Sequence, residues 1–218
     1  MNNPDERITR TLLCAGVCLV WYTLTLVVSV LPDLTALRQN GMLVPVLCGL
    51  EFAVLVPLYF WTSRRYPLIP QSKLNLRQLL IFIALLLMLI LSQSFYLSHE
   101  SWTGSQLGDG NRRVVIFALA VVLLAPVFEE MVFRGFLLQG LLLWAPQQRL
   151  VCALIASLIF AACHMQYTHP QTLIALTALS LLLCYARLVS NGLKLPILLH
   201  MLNNLIGVSP WLWIAATR

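Results

Sequence analysis

The chain has 218 residues, of which 60% are hydrophobic and only 10% charged, 14 Lys and Arg against 8 Asp and Glu. A water-facing domain carries about 25% charged residues, so this composition excludes a soluble protein and leaves room for roughly six to eight apolar spans of about 20 residues. The net charge of +6 does not indicate nucleic acid either: the basic residues form no stripe with interleaved aromatics and sit between apolar runs, where orientation in a membrane needs them.

Residues 1–10 are polar, and the long apolar run 11–31 reads as a retained first span rather than a cleaved signal peptide. A second span covers 41–62 and contains Glu51, and a basic segment with Arg64, Arg65, Lys73 and Arg77 leads to a third over 78–97. Residues 98–113, with Gly104, Gly108 and Gly110, read as a solvent-exposed loop. The run 114–144 would extend roughly 46 Å as one helix, longer than the usual hydrocarbon core, and Pro126 and Gly135 are places to bend or break it. After the turn at 145–149, spans follow to about residue 163, over 171–189, and from 195 to about 215. The expectation is all-α: one polytopic transmembrane helical bundle over 1–218, with about seven spans.

An inside N-terminus places Arg7, Arg10, Arg64, Arg65, Lys73, Arg77, Arg149, Arg187 and Lys194 in the cytoplasm and Arg38, Arg112, Arg113 and Arg218 outside. Nine against four supports that orientation, in what reads as a bacterial inner (plasma) membrane. Trp61, Trp144, Trp211 and Trp213 read as interfacial anchors, and Met165 and Tyr167 as interface fillers. The six cysteines all lie in apolar runs and read as packing residues; Cys14 and Cys18 share a helix face, which alone does not indicate a metal. His99 and His169 fall in loops.

In so apolar a chain the informative residues are those costly to bury, about 2.5–3.5 kcal/mol for a charge at mid-helix on insertion scales. Glu129, Glu130 and Arg134 crowd together, His164 ends the fifth span, and His200 and Asn204 lie in the seventh. Glu130 and Arg134 are four apart and can pair on one helix face, while Glu129, turned by about 100°, is left for acid/base work. Phe160 lies one turn before His164, where its ring would limit the imidazole. If the hairpin turns near residue 147, Glu129 lies 18 residues before the turn and His164 lies 17 after it, at matching depth. His200, just past Pro196, matches that depth less well. A carboxylate and an imidazole sharing a water suit general-base catalysis, and donors on His200 and Asn204 suit an oxyanion. A structural ion-pair network, with Asn204 as helix-to-helix glue, would account for the same residues. Glu51 has two open roles, assisting the site or pairing with another helix.

The segments E129-E130-M-V-F-R134-G, F160-A-A-C-H164 and H200-M-L-N-N204 resemble the three motifs of the CPBP (Abi) intramembrane proteases, which include the type II CAAX prenyl endopeptidases (Rce1-like) and bacteriocin-processing or immunity proteins. The resemblance covers roughly residues 112–210, as a catalytic core. It implies an endopeptidase in which Glu129 and His164 activate water, Glu130 and Arg134 shape the site, His200 and Asn204 bind the oxyanion, and Phe160 is the motif aromatic. The substrate would be a membrane protein or lipid-associated peptide, prenylated or not, within the bilayer. It implies no required cofactor, with zinc at Glu129, His164 and His200 as the alternative; HExxH is absent. A non-proteolytic immunity or scaffold protein retaining the motifs is the competing function. A small transporter is the other, although no paired half-repeats mark one.

Overall fold

The computed structural model describes residues 4–32, 34–67, 74–98, 100–102 and 110–217, all-helical and without a strand among them. Lys73, His99, Gly104, Gly108 and Arg218 lie outside the described residues. The helices are α1 (Pro4–Ser29), α2 (Leu34–Gln39), α3 (Leu43–Arg65), α4 (Leu76–Gln93), α5 (Asn111–Trp144), α6 (Arg149–Ala162), α7 (Pro170–Ser190) and α8 (Lys194–Thr217). Six are long and apolar enough to cross a membrane, and α6, with 14 residues, is about 21 Å long.

Local signals set the ends. Asp5 and Glu6 in the first turn of α1 face the positive end of its dipole. The Asn75 side chain caps α4 by accepting from the Arg77 and Gln78 amides. Pro170 opens α7, and Asn191 ends it in the left-handed conformation at φ 52°, which asparagine tolerates better than most residues.

Helix α5 runs through the centre. Its apolar window is 56% buried, against 11–39% in the other five long helices. Phe128, Val132, Phe133 and Phe136 form a core with Cys14 and Val17 of α1, Cys48 and Leu55 of α3, and Phe160 of α6. A side chain at Gly140 would place its Cβ 3.2 Å from Cys14 Cβ, so α1 crosses α5 at a small-residue contact. A second cluster joins α4, α7 and α8 through Phe82, Leu86, Leu179, Leu183 and Leu199. Among the described residues the cysteines are free.

The sequence suggested a bend or break in 114–144; the segment stays helical without a break, and its register changes near both places. Two π-helical segments, Ala120–Leu124 and Met131–Leu137, precede Pro126 and enclose Gly135. Proline has no N–H and crowds the preceding turn, and a wider π turn accommodates it without a break.

Helix ends pair at opposite poles of the bundle. Trp144 at the end of α5 donates to Thr11 of α1 and stacks with Arg7. At the other pole Arg113 donates to the Gln39 carbonyl. Trp61 and Trp213 are exposed, as expected of anchors, but Trp211 packs against the Val114–Phe117–Val208 cluster. Met165 also departs from expectation: it is 87% exposed and fills no intramolecular interface.

Among the described residues of the stretch expected to be solvent-exposed, Glu100 is the buried exception. Its carboxylate accepts from the Thr168 and His169 amides and from the Thr168 and Thr172 hydroxyls, the last at 2.6 Å. It thus caps the start of α7, and Trp102 beside it packs edge-on against Tyr167. These bonds, led by Thr172, hold its carboxyl down to about 2 from an ordinary 4.5. A depressed folded value means that the stabilisation is complete above about 4.5 and is lost as pH falls toward about 2. Glu100→Ala is expected to lower the melting temperature of the detergent-solubilised protein by a few degrees near neutral pH. Its deficit relative to wild type should stay constant through mildly acidic pH and shrink only below about 4.5, as followed by tryptophan fluorescence. A deficit that already shrinks between neutral pH and pH 5 would contradict the assignment.

Candidate active site

Glu129 and Glu130 close the short α-helical turn Ala125–Glu130 between the two π segments of α5. Their side chains part. Glu130 is fully buried, and its Oε1 accepts from Arg134 Nη1 at 2.8 Å, the pair expected from their spacing. Arg134, also fully buried, donates from Nη2 to the Ser180 hydroxyl and carbonyl of α7, and its guanidinium lies 4.8 Å from the centre of the Phe160 ring. Glu129 turns instead into a cavity of about 1030 Å³ that it shares with His164, His200, Asn203, Asn204 and Glu51.

His200 lies closer to the glutamates than counting along the helices suggests. Its Nδ1 is 2.8 Å from Glu130 Oε1 and its Nε2 is 3.8 Å from Glu129 Oε2, so each ring nitrogen faces a carboxylate. Counting residues along the helices takes all turns to lie at one level, which tertiary packing need not respect. Arg187, near the end of α7, donates to Gln139, five residues before the end of α5. Glu130 Oε1 thus accepts two bonds, while its buried Oε2 has no partner among the described residues.

His164 follows α6, with Nδ1 2.7 Å from the Phe160 carbonyl. A carbonyl oxygen only accepts, so Nδ1 carries the hydrogen and the neutral ring presents Nε2 as a base. Phe160 restrains that ring at 4.6 Å between centres, as its one-turn spacing suggested, and Tyr167 lies parallel to it at 6.3 Å. Phe160 also packs edge-on to Phe133 and His200.

Asn204 repairs a defect in α5. The Ala125 amide bonds to Ala120, five residues back, and Pro126 has no N–H to offer, so the Val121 carbonyl loses its usual helical donors. Asn204 Nδ2 donates to it at 2.8 Å, and Asn203 in turn donates to the Asn204 side-chain oxygen at 3.1 Å. One amide hydrogen of Asn204 and the Nδ1 side of His200 are therefore committed inside the protein. The second amide hydrogen of Asn204 and Nε2 of His200 are what they retain for a ligand.

Among the described residues no group of three His, Cys, Asp or Glu side chains is found that could hold a metal ion. The sequence does not single out Ser180 or Glu100. A hydroxyl within the apolar run LTALSLLL is the signal that could have matched Ser180 to a buried arginine.

Residues 111–206 match the family model described as type II CAAX prenyl endopeptidase Rce1-like. An Escherichia coli protein described as an uncharacterized 24.3 kDa protein is 39% identical over 95 residues, 44% of this chain and 44% of that protein. The match thus spans under half the length of that curated relative. No solved structure matches the chain. The matched segment holds the α5 glutamates, His164, His200 and Asn204 in one apolar bundle, and over residues 111–206 the chain is similar to the Rce1-like type II CAAX prenyl endopeptidases.

Proposed function

We propose that this protein is an intramembrane endopeptidase that hydrolyses membrane-associated peptides by glutamate/histidine water activation, with no required metal. One observation carries the reading: Glu129 and His164 face a common cavity while the neighbouring Glu130 is locked by Arg134. Glu129 takes a proton from water as the water oxygen adds to the scissile carbonyl carbon. Nε2 of His164 accepts the water's second hydrogen bond and sets the line of attack. The electron pair displaced onto the carbonyl oxygen meets the free amide hydrogen of Asn204 and Nε2–H of a protonated His200. Collapse breaks the C–N bond, and the proton held by Glu129 passes to the leaving nitrogen. The family match to prenyl endopeptidases supports a lipid-associated peptide as substrate, with prenylation as one form of it.

Removing a general base or its partner costs about 10²–10⁴-fold. Glu129→Gln and His164→Ala should therefore each lower kcat at least about 100-fold on any membrane peptide that wild type cleaves. Mass analysis would locate the cut and melting would verify folding. Unchanged cleavage in both variants would sink the mechanism. A folded wild type that cleaves no peptide in a broad screen would favour a non-proteolytic immunity or scaffold role.

We also infer a cytoplasmic N-terminus in a bacterial inner membrane. With alternating helix directions, the pole of α1's start gathers Arg7, Arg10, Arg64, Arg65, Arg77, Arg149, Arg187 and Lys194. The other pole carries Arg38, Arg112 and Arg113. The cavity reaches the surface beside Arg38 and Gln39 and so opens away from the cytoplasm. Alkaline phosphatase fused to the C-terminus, beyond α8, should be active, and a green fluorescent protein fused there should be dark. The reverse pair of results would invert the orientation.

A further inference from the structure

Glu51 takes no part in the chemistry proposed above, yet it is 4% exposed and lines the cavity that holds Glu129. A carboxylate in the middle of an apolar helix is costly, and its burial calls for a compensating partner. Thr25 of α1 donates to Glu51 Oε1 at 3.0 Å. That hydroxyl, which also lies 3.3 Å from the Trp21 carbonyl, and the Trp21 indole beside it leave part of the carboxylate's accepting capacity unused. Among the described residues no Lys, Arg or His pairs with Glu51. Joining α1 to α3 requires no charge, since a neutral amide would accept from Thr25 equally well.

The surroundings have the character of a subsite. Trp21, one turn before Thr25, lines the same cavity beside the Glu51 carboxylate, which its indole N–H approaches. The strongly basic residue lining the cavity is Arg38, exposed at its rim, whereas the interior carries the carboxylates Glu51 and Glu129. A cation entering this cavity finds a carboxylate with open lone pairs and an aromatic side chain next to it, the pairing that favours an ammonium or guanidinium group.

We propose that Glu51, buttressed by Thr25 and Trp21, forms a subsite that selects a lysine or arginine side chain in the peptide held across the active site. The proposal rests on the peptidase reading, and binding to a non-cleaving protein separates the two. The probes are fluorescent amphipathic peptides identical except for one lysine or norleucine, with that residue moved through successive positions. They are titrated into detergent-solubilised Glu129→Gln. At the matching position the lysine peptide should bind about 30-fold more tightly, the scale of a desolvated charge pair. Glu51→Gln in the same background should erase the difference, and Glu51→Asp should restore part of it. Equal binding of every pair by the protein with intact Glu51, or no binding at all, overturns the subsite whether or not Glu51→Gln folds. A lysine preference in a protein whose wild-type form cleaves nothing would retain the subsite and reject the peptidase. Cleavage by wild type without a lysine preference would do the opposite.

Discussion

The Arg134–Glu130 pair is the constraint around which the bundle is arranged. Both side chains are fully buried, and breaking such a pair by removing one partner costs roughly 3–5 kcal/mol because the other charge is left without compensation. Helices therefore have to gather wherever the guanidinium and carboxylate still need partners. Helix α7 supplies Ser180, α6 supplies the Phe160 ring, and α8 supplies His200. The same contacts that neutralise the pair bring three separate segments of the chain to one point. The active-site geometry is thus a by-product of satisfying one buried charge pair, and Glu129 becomes available because its neighbour has taken the stabilising contacts.

The second determinant is the changing register of α5. A uniform α-helix through Pro126 would bend away from the bundle axis or break. The π segments keep the helix continuous and leave the Val121 carbonyl without a backbone donor. Asn204 then ties α8 to α5. A defect in the central helix, repaired from outside, gives the interhelical contact that fixes the asparagine's orientation toward the cavity.

The legibility of these features in the sequence divides along physical lines. The helical class, the number of apolar segments and the Glu130–Arg134 pair follow from hydropathy and from four-residue spacing within one helix, both local properties. The separation of Glu129 from Glu130 follows from the same helical rotation. The approach of His200 did not follow, because its depth depends on how α8 packs against α5, which shows in the His200–Glu130 bond, and no local pattern encodes the level of a turn. The Glu100 clamp was equally hidden: a loop has no periodicity, and two of its donors are backbone amides, which every residue but proline provides.

Helix α6 has a consequence for the surrounding lipid. At about 21 Å it falls short of a hydrocarbon core of about 30 Å, so the segment that follows, with His164 and Tyr167, lies below the level at which a full-length span would emerge. Exposed amides in hydrocarbon are expensive, and Glu100 covers two of them. A span this short is accommodated at modest cost, thinning of the leaflet beside it being one way. On the peptidase reading proposed above, a peptide lying flat in that leaflet would reach His164 without crossing to the bilayer centre.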